Sequence, residues 1–418
     1  MTGSGYRASR RYLLASLLAS ALPFRGLGAE AARCDSPGYL GDFDSLWRVL
    51  DRSYVLFDRT SRERWKRSRT ALRRDAACAA SPEDLAQVVQ SIAAVLRDEQ
   101  IAVSIRAPRP MRRVPAETDI WAAWQGGVAR VEAVRSSSDA DVAGLHPGHV
   151  VARIDAVPVA RAVEGMVGRN ASAHDRDWAL RRLLAGPWSG AVELDVPEPG
   201  GERRMRIERR PPSPSTAPMA AHRMGAERDI GYIRLRDRVW DSATQFRAAL
   251  ATLARTRALI LDLRDVSSSA HSQELDFVLQ PFASAAGPWL VRKYPGEKPQ
   301  TNVVSPNGAA YTAPVVVLVD RWTAAAGEAL AAGLNAIAGA RLVGTPMAGF
   351  GTDLFGMLLH QSGLILQLPT EKAFHPDGTP LERIRPSLVV DLAAPSGGPG
   401  DPILYQALKL LEKIGVRP

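Results

Sequence analysis

The sequence predicts an α/β protein with more than one domain, and three observations support this prediction. The chain has 418 residues, which is longer than one ordinary domain. From residue 228 onward, near-continuous apolar runs such as Ala258–Leu263 and Pro314–Val319 alternate with helical segments. Runs of this kind form largely parallel sheets that helices cover on both faces. The hydrophobic content of 46% is ample for packed cores.

Composition excludes several functional classes. The net charge is +9, but the basic residues are scattered among acids, and we find no basic face with interleaved aromatic residues, so we expect no nucleic acid as partner. Two cysteines are too few for a disulfide-rich scaffold, an iron–sulfur cluster or a Cys-based zinc finger. His146 and His149 flank a turn without a third ligand nearby, so we expect no metal, and no motif indicates a cofactor. No apolar stretch reaches the ~20 residues of a spanning helix, so we expect no transmembrane segment in the mature chain.

Residues 1–31 have the pattern of an export signal. The paired arginines Arg10 and Arg11 precede an apolar run over residues 12–24, and residues 29–31 (AEA) fit a signal peptidase site. The arginine pair is typical of the twin-arginine route, and an ordinary secretory signal or an uncleaved anchor is the alternative. We therefore expect an exported protein, periplasmic or extracellular.

Export would permit a disulfide between the two cysteines. Cys34 and Cys78 both remain in the mature chain. A bridge would close a long loop in the N-terminal region. Two free thiols are the alternative.

Composition divides the mature chain into four further parts. Residues 32–110 are predicted to be helical, because apolar residues at i, i+3, i+4, i+7 and i+11 form one stripe. Residues 117–210 contain short β-like runs broken by glycine and serine. A linker rich in proline and serine covers residues 211–220. The α/β core follows at residues 226–395, and a helix at residues 400–418 ends the chain.

The core is predicted element by element. Strands are expected at residues 231–235, 258–263 and 314–319, and a hairpin at residues 354–370. Helices are expected between these strands. Their predicted ranges are residues 239–256, 272–286 and 323–338.

Three stretches carry a resemblance to a known family. They are residues 143–155 (AGLHPGHVVARID), residues 258–264 (ALILDLR) and residues 320–328 (DRWTAAAGE). They resemble the C-terminal processing, or tail-specific, serine peptidases, in the branch of the tricorn core and the retinoid-binding proteins. The resemblance covers most of residues 40–395. It implies a crotonase/ClpP-like α/β core, with an N-terminal helical region and a PDZ-like module at residues 117–210.

The positions that would carry catalysis in this family are substituted. The family pattern T-A-S-A-G-E becomes Thr-Ala-Ala-Ala-Gly-Glu, which places Ala325 at the nucleophile position. Gln100 occupies the position of the histidine base, and an amide does not titrate near neutrality. The lysine of the other branch is also missing, because no lysine lies between Lys298 and Lys372. Glu382 is the candidate for the retained acid.

The oxyanion loop differs as well. In the family this loop is rich in glycine, which lets the backbone approach a substrate closely. Here no glycine remains. An acidic residue stands at the start of the loop, where its charge would oppose an oxyanion. The stretch at this position is Asp265, Val266, Ser267, Ser268 and Ser269. Together with the missing nucleophile and base, it predicts a protein of peptidase fold without hydrolytic activity.

The remaining expectations concern what the protein binds. In the family, the PDZ-like module recruits a peptide as an added strand, which implies peptides or unfolded C-termini as partners. The candidate carboxylate-binding loop is Gln125, Gly126, Gly127 and Val128, with Val128 in the edge strand. Two alternatives stay open. One is a relocated nucleophile among Thr323, Ser267, Ser268 and Ser269, with His271 as base. The other is a small apolar ligand, as in the retinoid-binding relatives.

Overall fold

The computed structural model describes residues 38–104, 111–210, 219–236, 243–268, 272–352, 354–394 and 400–416. The predicted export signal and Cys34 lie outside these ranges. Within them, no helix combines the length and the apolar character needed to cross a membrane. Cys78 is disulfide-bonded.

Three helices form the N-terminal region. They are α1 (Leu40–Ser53), α2 (Arg59–Cys78) and α3 (Pro82–Leu96). Capping boxes at Asp58 and Ser81 satisfy the free amides that begin α2 and α3. Their apolar faces share one core, in which the rings of Trp47 and Trp65 stack 3.5 Å apart. The region is not wholly helical, because β1 (Ala102–Ser104) follows the helices.

A second unit, which we call the β-module (residues 111–210), follows. Its three-stranded sheet has the order β2 (Ile120–Gln125), β3 (Val128–Val134) and β4 (Val150–Val151). The second sheet has four strands in the order β6, β5, β7, β8. These are β5 (Arg153–Ile154), β6 (Val157–Pro158), β7 (Ala191–Glu198) and β8 (Gly201–Glu208). The module's helices are α4 (Asp139–Val142), α5 (Val159–Val167) and α6 (Ala173–Ala185).

The α/β core is built on a six-stranded sheet, which confirms the predicted fold class. Its order is β19-β15-β14-β11-β10-β9. All neighbours are parallel except β9, which is antiparallel to β10. The strands are β9 (Met219–Met224), β10 (Ile230–Arg236), β11 (Ala258–Asp265), β14 (Val315–Val319), β15 (Arg341–Gly344) and β19 (Leu388–Val389). Alternate residues of β11 and β14 face two different clusters, so both faces of the sheet are buried.

The core helices match the prediction in position but not in every boundary. They are α7 (Ala243–Leu253), α8 (Ser272–Leu279), α9 (Ala326–Ala338) and α10 (Pro402–Lys413). Helix α8 stops before residue 286 because Gln280–Phe282 form a 3₁₀ turn that contains a proline. Helix α9 starts three residues later than predicted, because Ala325 has a non-helical backbone.

Two further sheets complete the core. The order β13-β12-β18 joins β12 (Gly287–Lys293), β13 (Gln300–Val304) and β18 (Lys372–Phe374). The predicted hairpin is present as β16 (Leu354–Leu358) and β17 (Ile365–Pro369), and β1 pairs with β17. The Asp42 carboxylate of α1 accepts bonds from the amides of Gln361 and Ser362 in the hairpin turn, at 2.9 and 2.8 Å. These contacts join the helical region to the core.

A buried carboxylate holds the start of α9 against a glycine turn. Glu328 is fully buried in the first turn of α9. It accepts hydrogen bonds from the amides of Gly349 at 2.5 Å, Phe350 at 3.2 Å and Gly351 at 2.9 Å. Burial raises the pKa of Glu328 to about 7, although these three amides oppose the shift. The turn at residues 349–351 is therefore fixed relative to α9.

The raised pKa of Glu328 predicts a pH-dependent stability. The folded protein binds a proton here that the unfolded chain releases near pH 4.5. Stability from this group is therefore complete below pH 4.5 and is lost as the pH rises to about 7. We expect the free energy of unfolding of the wild type to fall over this window by about 3 kcal/mol more than that of Glu328→Gln. Denaturant titrations across the window measure this difference in slope.

The exposed Glu297→Gln variant is the matched control and should keep the slope of the wild type. Any constant loss of stability in Glu328→Gln reflects its altered hydrogen bonds and does not enter the comparison. Equal slopes in the wild type and in Glu328→Gln would contradict the prediction.

Candidate active site

Ala325, at the nucleophile position, lies between β14 and α9 in a strained backbone conformation. Its φ is 46° and its ψ is −108°, a region that residues with a side chain rarely adopt. The amide of Ala324 donates to the carbonyl of Val266 at 3.0 Å. A Cβ on Gly327 would lie 2.3 Å from the same carbonyl oxygen, so only glycine fits there. The loop after β11 therefore holds the turn at Ala325 in place.

The same loop occupies the amide that follows the nucleophile position. The amide of Ala326 donates to the carbonyl of Ser268 at 3.2 Å. In enzymes that present a nucleophile on a strand-to-helix turn, this amide commonly stabilises the oxyanion. Here a carbonyl oxygen, itself an acceptor, stands where a negatively charged oxygen would bind.

The charge of Asp265 is paired. Its carboxylate lies 2.6 Å from the guanidinium of Arg234, 3.5 Å from that of Arg135 and 3.8 Å from that of Arg236. The expectation that its charge would oppose an oxyanion therefore needs correction, since three guanidinium groups surround it.

Gln100, at the base position, is buried and engaged in hydrogen bonds. Its Oε1 accepts a hydrogen bond from the hydroxyl of Thr352, and its backbone amide donates to the carboxylate of Asp98 at 2.8 Å. Burial raises the pKa of Asp98 to about 6, against the opposing hydrogen bonds from Gln100 and Tyr54. The Gln100 side chain is thus fixed by the turn that follows Gly351, and it carries no titrating group.

Glu382, the candidate acid, lies at the same turn. It belongs to a 3₁₀ turn, Leu381–Arg383, and a Cβ on Gly351 would come within 2.5 Å of its carboxylate. The structure therefore brings Gln100 and Glu382 together around Gly351 and Thr352. Because Glu328 anchors this turn to α9, Gln100 and Glu382 are fixed relative to the helix that begins after Ala325.

The candidates for a relocated nucleophile lie before α9 and in the loop after β11. Thr323 is fully buried, and its hydroxyl donates to the carbonyl of Leu263 at 3.2 Å and accepts from the amide of Asp320 at 3.0 Å. Ser267 and Ser268 are half-buried in the loop after β11. Ser269 and His271 lie outside the described residues. A hydroxyl as enclosed as that of Thr323 has no room to attack a substrate.

Sequence reasoning missed that the β-module contacts the loop before Ala325. Arg321 forms an ion pair with Glu132 of β3 at 2.6 Å. The indole of Trp322 donates to the carbonyl of Thr118 at 2.8 Å, and the guanidinium of Arg135 lies 4.9 Å from the Trp322 ring centre. Such contacts between distant segments leave no periodic signal in the sequence.

The candidate carboxylate-binding loop forms a tight hairpin turn. Gln125 pairs with Val128 across Gly126 and Gly127, which have φ values of 57° and 86°. Val128 begins β3, the middle strand of its sheet, so the expectation that it lies in an edge strand needs correction. The edge strands are β2 and the two-residue β4. Carboxylate binding at this turn stays a prediction.

The edge of β2 faces α6, and one of its amides is already bonded. The amide of Trp124 donates to the carboxylate of Asp177 in α6 at 2.6 Å. Next to it, the guanidinium of Arg181 lies 4.6 Å from the ring centre of Trp121. An added strand at this edge would compete with Asp177 for the Trp124 amide.

Comparisons with known proteins agree with this geometry. Residues 229–394 match the model of Peptidase family S41. No curated protein matches the chain. Three solved structures cover most of the chain at low identity, so their likeness concerns the fold.

One is a photosystem II D1 C-terminal processing protease, with 19% identity and a TM-score of 0.56, covering 84% of this chain and 93% of that chain. Mature CPAF complexed with lactacystin has 14% identity and a TM-score of 0.56, and the match covers 90% of this chain and 97% of that chain. A lipoprotein from Streptococcus agalactiae has 12% identity and a TM-score of 0.51, and covers 91% and 98%. Residues 229–394 of this chain therefore match Peptidase family S41, and the fold is similar to that of the C-terminal processing proteases.

Proposed function

We propose that this chain is an exported pseudopeptidase of the S41 family, which binds peptides or unfolded C-termini without hydrolysing them. The observation that carries the proposal is the state of the turn at residues 325–326. A methyl group stands at the nucleophile position, and the following amide is bonded to the carbonyl of Ser268 at 3.2 Å. Neither covalent attack nor oxyanion stabilisation is supported by this arrangement.

The base position supports the same conclusion. A general base needs a titrating group that can reach the nucleophile. Gln100 has a neutral amide, and its oxygen is bonded to Thr352. In a comparable serine peptidase, loss of the nucleophile or of the base lowers turnover by ~10⁶-fold. Loss of one oxyanion donor lowers it by a further ~10²–10³-fold.

Peptide binding would use the edge of β2 in the β-module. A free strand edge offers main-chain donors and acceptors to an extended peptide. The amide of Trp124 is held by Asp177 from the neighbouring helix, which acts as an internal competitor. A peptide that enters between β2 and α6 would replace this contact with a main-chain hydrogen bond.

We expect no hydrolysis of an unfolded protein such as casein by the wild type. The double variant Ala325→Ser, Gln100→His should also stay at background, because the carbonyl of Ser268 still occupies the Ala326 amide. Release of peptide fragments measures activity, and circular dichroism verifies folding. The Ala325→Gly variant, which has no nucleophile at this position, controls for contaminating protease.

Three results would contradict parts of this proposal. Cleavage by the wild type, together with fluorophosphonate labelling of a serine, would establish a relocated nucleophile and refute the pseudopeptidase. Cleavage by the double variant alone would show that the Ser268 carbonyl does not block the oxyanion site. Lipid extracted from the purified protein, without peptide binding, would favour the small apolar ligand instead.

Removal of the Asp177 carboxylate should strengthen peptide binding. In Asp177→Ala the amide of Trp124 is left for an incoming strand, so we expect the dissociation constant of an unstructured peptide with a free C-terminus to fall ~10-fold. Fluorescence anisotropy measures the change.

The exposed His174→Ala variant on the same helix is the matched control and should bind as the wild type does. If Asp177→Ala and His174→Ala bind the peptide equally, the edge of β2 is not the binding site.

A further inference from the structure

Most of the positive net charge of this chain comes from one helix. Helix α2 contains eight of the 53 basic residues and two of the 44 acidic residues. Residues 1–31 contain four basic residues and one acidic residue. The rest of the chain therefore contains 41 basic and 41 acidic residues. The surplus of α2 is not a general excess of arginine, because the remainder of the chain is balanced.

The basic side chains cover the outer face of α2. The inner face packs Trp65, Leu72 and Ala76 into the helical core. On the outer face, the side chains of Arg59, Arg67 and Arg74 are 93%, 74% and 59% exposed. Basic residues also recur along one stripe with spacings of three and four. They are Arg59, Arg62, Lys66, Arg69 and Arg73. The helix has 20 residues and therefore presents a cationic surface about 30 Å long.

Neighbouring acids do not neutralise this surface. One of its eight cations, Arg64, is half-buried and lies 3.9 Å from Asp175 of α6. The other seven have four carboxylates within ion-pair distance. They belong to Glu63 and Asp75 of α2 and to Asp44 and Asp51 of α1. These pairs are exposed at the protein surface, where an ion pair holds its partners only weakly, so the arginines can exchange them for other anions.

The shape of the surface indicates what it fits. It is the convex face of one helix, so it would select a partner by charge rather than by complementary shape. Its only aromatic residue, Trp65, is buried, so bases could not stack on it as they do in single-stranded nucleic acid sites. A broad anionic surface such as a lipid bilayer requires neither a groove nor stacking.

The entry point of the chain favours a bilayer over other polyanions. The amide of Tyr39 donates to the carbonyl of Ala76 at 3.0 Å, and Gly38 lies directly against Ala77. The 37 residues that precede Gly38 therefore join the fold beside the last turn of α2. They include the predicted export signal, whose apolar run over residues 12–24 would enter the membrane during export, before cleavage, and would bring this end of α2 to the bilayer surface.

We propose that α2 is a docking surface for anionic membrane lipids, which holds the folded protein at the membrane surface. This inference rests on the export that is part of the proposed function, and it is independent of peptide binding. Attraction to anionic headgroups is worth roughly a factor of five in affinity per Lys or Arg near the surface. It weakens with salt, because ions screen the interaction beyond a Debye length.

The test measures binding of the full chain to vesicles that contain phosphatidylglycerol and to vesicles of phosphatidylcholine alone. The readout is the ratio of the two affinities, because the apolar run at residues 12–24 would insert into both. The test variant is Arg59→Gln, Arg67→Gln, Arg74→Gln, which keeps strong helix formers. We expect the preference of the wild type for phosphatidylglycerol to fall about 100-fold in this variant, and to weaken in high salt.

The matched control removes three exposed arginines elsewhere: Arg169→Gln, Arg247→Gln, Arg255→Gln. It has the same net charge as the test variant and should keep the preference. Equal losses in the two variants, or no preference in the wild type, would overturn the proposal. Binding of duplex DNA through α2 without a preference for phosphatidylglycerol would also overturn it. Peptide binding through β2 is measured separately, so either proposal can fail alone.

Discussion

The arrangement around residue 325 depends on the buried carboxylate of Glu328. Burying this group is unfavourable unless hydrogen bonds compensate for the lost water. Three amides and the positive end of α9 provide that compensation. Through Glu328, the helix after Ala325 is fixed to the turn that contacts Gln100 and Glu382. The site is therefore held together by a residue that takes no part in covalent chemistry, and a nucleophile can be lost without loss of the fold.

The inactivity that we propose for this chain has a basis in both side chains and backbone. Ala325 and Gln100 lack the required functional groups, and the loop after β11 satisfies the helix amides with its own carbonyls. The two changes are physically separate. A side chain can be restored by one substitution, whereas the path of the loop depends on Val266 packing in the core and on the ion pairs of Asp265.

The sequence was informative wherever burial dictated composition. Strands β11 and β14 are covered on both faces, so their apolar runs stand out, and the hairpin at β16 and β17 was also found. Strands β12 and β13 were missed, because β12 begins with Gly287 and Pro288 and ends with two charged residues, and β13 begins with three polar residues. The predicted start of helix α9 lies too early in the chain, because a strained turn of Thr and Ala residues has the same sequence pattern as a helix.

The candidate site shows the same division. Residue identity alone indicated that Ala325 and Gln100 could not act as nucleophile and base. The bond between Ser268 and Ala326 could not be foreseen, because any residue can provide a carbonyl. The two glycines of the turn at Gln125–Val128 suggest a carboxylate-binding loop. The same glycines are equally typical of a hairpin with a two-residue turn, so they do not distinguish the two roles. Contacts such as Arg321 with Glu132 depend on how two units dock, which local patterns do not encode.

The positive φ of Ala325 has a consequence for how active sites are recognised. A residue in this conformation carries about 1–3 kcal/mol of strain, and here the strain persists although no hydroxyl is presented. The neighbouring contacts of Ala324 and Gly327 with Val266 are sufficient to impose it. A positive φ at a strand-to-helix turn is therefore not by itself evidence of a nucleophile. In this chain the side chain at position 325 and the hydrogen bond of the Ala326 amide bear on the chemistry, whereas the φ angle alone does not.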